Sequence, residues 1–142
     1  LPIYYANKRQ LELFLSRPEN ELNFEWLNKK VALLGLAFKR DTNDIRNTPS
    51  IDIVNFLLGQ QVKEIRCYDH AATANFQRIF KESEEIKYFS HEFDAVKDAD
   101  VIIIATDWPQ FRGLADTIIG ELKNRPLIMD GRRILQHRYQ DL

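Results

Sequence analysis

Residues 31–49 read VALLGLAFKRDTNDIRNTP, and they contain the signals that decide the fold. The run VALL is continuously apolar and ends at Gly35, which is typical of a central parallel strand covered on both faces. A polar loop follows, and Thr48 and Pro49 are then suited to be the N-cap and the first residue of a helix. The segment therefore predicts a strand, a charged loop and a helix in succession.

The rest of the chain alternates apolar strand patterns with helical patterns. We predict strands at 64–68, 86–89, 101–105 and 127–129, and helices at 3–15, 49–58, 71–80, 91–97 and 109–122. We also predict a turn around Pro18 and a short amphipathic piece containing Leu22, Trp26 and Leu27. The predicted fold class is α/β: a Rossmann-like three-layer sandwich with a mostly parallel sheet of about five strands, preceded by an N-terminal helix.

The composition predicts one globular domain with no bias toward nucleic acid or membranes. The 142 residues include 20 basic and 21 acidic residues, so the formal net charge of -1 gives no general attraction to polyanions. No apolar run approaches the roughly 20 residues that span a bilayer, and the single cysteine, Cys67, has no partner for an internal disulfide. We expect a cytoplasmic protein that binds neither nucleic acid nor a membrane.

The loop after the first predicted strand concentrates charge, with Lys39, Arg40, Asp41, Asp44 and Arg46 in close succession. Ligands usually bind beyond the carboxyl ends of strands in open α/β sheets, so these cations predict an anionic ligand, with phosphate the leading candidate. Only the first glycine of a dinucleotide fingerprint is present, which favours a side-chain clamp over an autonomous NAD cradle. The alternative is that Asp44 and Arg46 simply pair in a self-neutralised loop.

Two further loops are predicted at the same edge of the sheet. The segment 130–133, DGRR, follows the last strand, and Gly131 suits a sharp turn that lets Arg132 or Arg133 point into the same cleft as Lys39. The segment 106–108, TDW, follows another strand, and packing is its favoured role. Cys67 lies in a strand pattern and is predicted to be inert, and the three histidines lack metal-ligand spacing. We predict no catalytic residue and no metal ligand.

These motifs also carry a resemblance to a known family. Residues 35–49 closely resemble the signature G-L-A-F-K-x-x-T-x-D-x-R-x-S/T-P that opens the C-terminal domain of the UDP-glucose/GDP-mannose dehydrogenase family. Supporting matches are Tyr68-Asp69, the TDW segment and the DGRR segment, although His70 stands where the family usually has proline. The first thirty residues match loosely, through Asn7 and a pattern similar to the end of the family's central helix.

The resemblance implies a division of the chain and a role for four residues. It implies a remnant of the central helix at 1–28 and a nucleotide-sugar-binding domain at 29–142. Phe38, Lys39 and Arg132 would contact a UDP-sugar, and Arg46 would lie near the pyrophosphate of the cofactor NAD. The resemblance places most of the NAD site in an N-terminal domain that is absent from this chain.

The resemblance also implies what the whole protein does. Because the chain begins at Leu1 without a methionine, we expect a piece of a longer protein. The full-length dehydrogenase would oxidise UDP-glucose to UDP-glucuronate and would form a homodimer or a larger assembly, whereas this fragment would be inactive. One alternative is a stand-alone Rossmann-like module that senses a nucleotide. Another is an assembly surface on the first helix, around Tyr4 and Tyr5.

Overall fold

A sheet of five parallel strands forms the centre of the protein, in a computed structural model that describes residues 8–142. The strands are β1 (Lys30–Leu34), β2 (Glu64–Tyr68), β3 (Ile86–Tyr88), β4 (Val101–Ile104) and β5 (Leu127–Asp130). Their spatial order is β3-β2-β1-β4-β5, the order typical of Rossmann-like sheets. The predicted α/β class and the parallel sheet are confirmed.

Helices connect the strands and follow the last of them. The α-helices are α1 (Lys8–Leu22), α2 (Pro49–Gly59), α3 (Thr73–Gln77), α4 (Glu92–Val96) and α5 (Leu114–Glu121). Two 3-10 helices cover Pro109–Gly113 and Gln136–Asp141. Since parallel strands need crossover connections, helices between successive strands are what this sheet requires. In the part of the chain that is described, no helix has both the length and the apolar character needed to cross a bilayer.

The three central strands form the core of the sheet. The apolar residues of β1 and all four residues of β4 are buried, as the continuous apolar runs predict for strands covered on both faces. β1 pairs with both neighbours, so that Val31 lies opposite Ile65 on one side and Val101 on the other. The chain adds β2 and β3 on one side of β1 and then returns to add β4 and β5 on the other. This reversal opens a crevice at the carboxyl ends of β1 and β4.

The start of α2 has the predicted N-cap and first helical residue. Thr48 has extended backbone angles and its side-chain oxygen accepts a hydrogen bond from the backbone N–H of Ser50, at 3.3 Å. Pro49 occupies the first turn, where the missing N–H would have no intrahelical partner. The charged loop therefore ends at a fixed point.

The prediction of a turn around Pro18 is wrong, because α1 continues through this residue to Leu22. Leu11, Phe14, Leu15 and Pro18 recur at helical spacing and are all buried on one face. Burial of that face outweighs the hydrogen bond that proline removes from the helix. The predicted amphipathic piece is also incorrect in detail, since only Trp26 is buried.

Several helices are shorter than the sequence predicts. The helices predicted at 71–80 and 91–97 reduce to α3 and α4, and the helix predicted at 109–122 divides into a 3-10 turn followed by α5. The 3-10 helix Gln136–Asp141 was not predicted. Residues 3–7 of the predicted first helix, with Tyr4 and Tyr5, lie outside the described residues. The proposed boundary between 1–28 and 29–142 stays a prediction, although α1 packs on the same apolar core as the sheet.

Candidate functional site

Backbone hydrogen bonds link the carboxyl ends of neighbouring strands in a continuous row. The backbone N–H of Gly35 donates to the carbonyl of Tyr68 at 2.9 Å, and that of Ala105 donates to Leu34 at 2.9 Å. Gly131 continues the row by donating to the carbonyl of Ile104 at 3.0 Å. The loops after β1, β4 and β5 therefore begin side by side, as predicted for ligand-binding loops of this fold.

The first of these loops packs closely on the loop after β4. Gly35 has φ 99°, and a Cβ atom at this position would lie 2.4 Å from the side chain of Thr106, so only glycine fits here. The hydroxyl of Thr106 donates to the carbonyl of Ala37 at 2.9 Å, and Thr48 donates to the same carbonyl at 3.2 Å. The packing role predicted for Thr106 is confirmed, since its side chain is fully buried.

A buried carboxylate, Asp69, joins three of the loops. It accepts five hydrogen bonds, at 2.8–3.0 Å, from the backbone N–H groups of Leu36, Ala37, Ala71 and Ala72 and from the indole N–H of Trp108. Hydrogen bonds of this kind satisfy a carboxylate that is 3% exposed. Although His70 replaces the family's usual proline, Asp69 fixes the turn through its own side chain, and His70 instead packs against Trp108.

A second buried carboxylate, Asp130, shapes the loop after β5. It accepts hydrogen bonds from the backbone N–H groups of Arg132, Ile134 and Leu135 and from the hydroxyl of Tyr139. Burial and the adjacent carboxylate raise the pKa of the Tyr139 phenol, so that it stays a donor. The left-handed residue of this loop is Arg133, with φ 57°, and Gly131 does not have a positive φ.

The loops after β1, β4 and β5 enclose a cavity of about 610 Å³ that we call the arginine cavity. Its lining is dominated by basic and polar side chains from the loops after β1, β4 and β5. The lining residues are Arg40, Asp107, Pro109, Arg112, Arg132, Arg133, Ile134, Gln136 and His137. The prediction that the loops after β1 and β5 converge is confirmed, because Arg40 and Arg132 share this cavity.

Arg132 and Asp107 form a loose ion pair inside the arginine cavity. Nη2 of Arg132 lies 3.8 Å from Oδ1 of Asp107, which is too far for a hydrogen bond. This carboxylate oxygen is buried and has no hydrogen-bond partner in the residues that the structure describes. Both side chains are largely buried, at 19% and 27% exposed. Arg132 therefore lies beside a carboxylate counterion in the cavity.

The other two predicted substrate residues, Phe38 and Lys39, lie on the loop after β1. Phe38 is 43% exposed, which excludes an ordinary core position for its ring. Its backbone N–H donates to the carbonyl of Asp44 at 2.7 Å and so closes the loop. Lys39 is exposed, and its neighbour Arg40, rather than Lys39 itself, lines the arginine cavity.

Arg46, the predicted cofactor contact, lies apart from the arginine cavity. It contributes to a separate cavity of about 580 Å³ together with Asn75, Arg78 and Ile79. Arg46 pairs with Asp44, as the sequence allowed: Nε lies 3.0 Å from Oδ1 and Nη2 lies 2.8 Å from Oδ2. Hydrogen bonds from the Arg46 side chain and backbone lower the pKa of Asp44 from 3.8 to about 2. Asp44 thus organises the loop, which is the role predicted for it.

The remaining candidate groups are not arranged for chemistry. Cys67 is fully buried in β2, and burial raises the pKa of its thiol and keeps it protonated, as expected for an inert strand cysteine. Across residues 8–142, no three or more His, Cys, Asp or Glu side chains are grouped to hold a metal ion.

Sequence reasoning missed two arginines of the site. Arg40 was visible in the charged loop, but it falls on a variable position of the family signature. Arg112 lies five residues after Asp107 on a 3-10 helix, and the tight turn from Trp108 brings it to the cavity. No sequence signal marked Arg112, because it lies eight residues beyond the end of β4 at Ile104.

The topology and the site together define a class of protein. A parallel Rossmann-like sheet with a basic cavity at the switch in strand order is the arrangement of a domain that binds an anionic nucleotide. A sequence profile of the UDP-glucose/GDP-mannose dehydrogenase family, UDP binding domain, matches residues 32–137. The chain belongs to this family, and it corresponds to the family's UDP binding domain, as the signature predicted.

Individual relatives show how much of the family's length is present. The chain is similar to UDP-glucose 6-dehydrogenase of Rickettsia conorii, at 32% identity over 93% of this chain and 30% of the relative. It is also similar to UDP-glucose 6-dehydrogenase TuaD of Bacillus subtilis, at 33% identity over 75% of this chain and 22% of the relative. A solved UDP-glucose dehydrogenase from Pyrobaculum islandicum superimposes with a TM-score of 0.73 and 25% identity, covering 90% of this chain and 27% of that structure. The chain therefore spans less than a third of the length of these relatives.

Proposed function

We propose that this chain is the UDP-sugar-binding domain of an NAD-dependent UDP-glucose 6-dehydrogenase, which oxidises UDP-glucose to UDP-glucuronate. The observation that carries the proposal is the arginine cavity, which places Arg132 of the family motif beside Arg40 at the carboxyl edge of the sheet. Guanidinium groups in a partly desolvated cleft oppose phosphate charge with directional hydrogen bonds. The relatives' names support UDP-glucose as the sugar nucleotide.

Each predicted site residue has a distinct part in this proposal. Arg132 binds the diphosphate, because it lines the arginine cavity on the loop after β5 and carries a guanidinium that can donate to phosphate oxygens. Lys39 is exposed on the loop after β1, next to Arg40, and contacts the remainder of the nucleotide sugar. Phe38, with its ring partly exposed, packs against the nucleotide.

In this proposal, Arg46 lies on the side of the cleft that binds the cofactor. Its guanidinium is 86% exposed and lies in a cavity separate from that of Arg132, which supports separate ligands for the two arginines. NAD would be bound mainly by the rest of the full-length protein, with Arg46 near its pyrophosphate. We also propose that the full-length enzyme is cytoplasmic and forms a homodimer or a larger assembly.

Calorimetric titration of this chain with UDP, GDP and UDP-glucose tests the proposal. UDP and UDP-glucose should bind more tightly than GDP. Lys39→Ala and Arg132→Ala should each weaken UDP-glucose binding by about 1.5 to 3 kcal/mol, because each removes a charged hydrogen bond. Preference for GDP, or unchanged affinity in both variants, would contradict the proposal.

A spectrophotometric assay separates the binding domain from the complete enzyme. We expect no NADH absorbance when NAD and UDP-glucose are added to this chain, because it spans less than a third of the length of its relatives and the family resemblance places most of the NAD site outside it. Turnover by the chain alone would refute this division of labour.

A further inference from the structure

We infer that Arg40 and Arg112 are anion-binding residues of the arginine cavity and that, together with Arg132, they grip a diphosphate from three separate loops. The identity of that diphosphate as part of a UDP-sugar rests on the proposed function. The grip itself rests on the geometry and charge of the cavity. Neither Arg40 nor Arg112 is a fixed residue of the sequence motif that identified Arg132.

The three arginines come from the loops after three neighbouring strands. Arg40 follows β1, Arg112 lies on the 3-10 helix after β4, and Arg132 follows β5. Because β4 lies between β1 and β5 in the sheet, the guanidinium groups approach the cavity from its two sides and its middle. A ligand in this cavity is therefore surrounded by donors from separate directions, which suits a diphosphate with oxygens on two phosphorus atoms.

The cavity carries an excess of positive charge. Four guanidinium groups, including that of Arg133, line it with the one carboxylate of Asp107, so that three positive charges are in excess. Arg112 and Arg133 make no ion pair within residues 8–142, and the carboxylate nearest to Arg40, that of Asp41, lies 3.9 Å from it. Like charges held together cost free energy unless an anion joins them.

Several arginines outside the cavity are paired more closely with carboxylates. The guanidinium of Arg138 lies 2.6 Å from Asp116 and 2.8 Å from Asp141. The buried Arg66 pairs with Glu64 and also donates to two backbone carbonyls. The net charge of the arginine cavity is one that a ligand with two or more negative charges would balance.

Hydrogen bonds to buried carboxylates fix the backbone of the loops that carry Arg40 and Arg132. The Asp130 carboxylate holds the backbone of Arg132 and of the residues after it, and Asp69 holds the start of the loop that contains Arg40. A fixed backbone reduces the ordering that binding requires. The arrangement therefore supports binding of inorganic pyrophosphate as well as of a nucleotide.

Titration of this chain with inorganic pyrophosphate and with UDP tests the inference. Arg40→Ala and Arg112→Ala should each raise the dissociation constant for pyrophosphate by about threefold to tenfold, since each removes a charge-assisted hydrogen bond. Arg9→Ala is the matched control, because it removes the same charge from an exposed residue of α1 that does not line the cavity. The control should change the dissociation constant by less than about twofold. Thermal unfolding verifies that all variants are folded.

The outcomes separate this inference from the proposed function. If both cavity variants weaken pyrophosphate binding but UDP binds no tighter than pyrophosphate, the arginine grip stands and the nucleotide proposal fails. If UDP binding depends on Arg132 but is unchanged by Arg40→Ala and Arg112→Ala, the nucleotide proposal stands and the grip is overturned. Absence of measurable pyrophosphate binding to the unmodified chain also overturns the grip.

Discussion

Two sets of charged residues lie at the same edge of the sheet and differ in burial and in hydrogen bonding. The carboxylates of Asp69 and Asp130 are buried and accept five and four hydrogen bonds from nearby groups. The guanidinium groups of Arg40 and Arg112 belong to exposed residues: Arg40 lies 3.9 Å from the carboxylate of its neighbour Asp41, and Arg112 makes no ion pair within residues 8–142. The buried set satisfies the loop backbones, and the exposed set leaves its hydrogen-bonding capacity for a ligand.

The contrast indicates how stability and binding are divided in this domain. A buried carboxylate with many donors fixes loop geometry, and its removal leaves several buried N–H groups without partners. An exposed arginine contributes little to folding, so its removal should leave stability nearly unchanged. Substitutions in the buried set should therefore change stability, whereas those in the exposed set should change affinity.

The largest effect is expected from Asp69→Ala. We expect it to lower the free energy of unfolding by about 3 to 5 kcal/mol, because five donors lose a buried acceptor. Urea denaturation measures the difference. The matched control is Asp98→Ala, since Asp98 is exposed and makes no hydrogen bond or ion pair within residues 8–142, and it should change stability by less than about 0.5 kcal/mol. Equal effects of the two variants would contradict the claim that the buried carboxylates stabilise the loops.

A smaller effect is expected from Tyr139→Phe. This change removes a hydrogen bond of 2.9 Å to the Asp130 carboxylate and should cost about 1 to 2 kcal/mol. Tyr68→Phe is the comparison, because the Tyr68 oxygen accepts a neutral hydrogen bond from Gln110 and its loss should cost about 0.5 to 1 kcal/mol. A larger loss for Tyr68→Phe in the same denaturation assay would argue against a structural role for the charge of Asp130.

The smallest effect is expected from acid titration of Asp44. Its pKa in the folded chain is about 2, below the ordinary value of 3.8, so its pairing with Arg46 stabilises the folded loop above pH 3.8. That contribution is lost as the pH falls toward 2. Carboxyl NMR shifts should show Asp44 titrating near pH 2 and moving back toward 3.8 in Arg46→Ala. An unchanged Asp44 titration in that variant would mean that the pair does not form in solution.

Most of the fold was predictable because it depends on local patterns. The apolar runs of β1 and β4 marked strands covered on both faces, and Thr48 with Pro49 marked the start of α2. Pro18 misled the prediction, since the burial of the α1 face depends on tertiary packing that sequence spacing alone did not reveal. Short helices such as α3 and α4 were overextended because their ends depend on loop contacts.

The site was predictable only where a motif carried it. The motif located Arg132, whereas Arg46 of the same family signature lies in a separate cavity. The strand ends indicated that the loops after β1 and β5 lie at one edge. Arg40 and Arg112 reach the arginine cavity through the paths of their loops, which composition and spacing do not determine. The connection of loops by Asp69 was equally invisible, because its donors lie as far away in sequence as Leu36 and Trp108.

Mapping of backbone amide NMR shifts during a titration with UDP-glucose tests the central claim most directly. The account predicts that the largest changes occur at residues 38–40, 107–112 and 131–133, which surround the arginine cavity. The amino edge of the sheet, including Lys63 and Arg125, should not change. Shift changes confined to the amino edge, or no changes at the carboxyl edge at saturating ligand, would contradict the account.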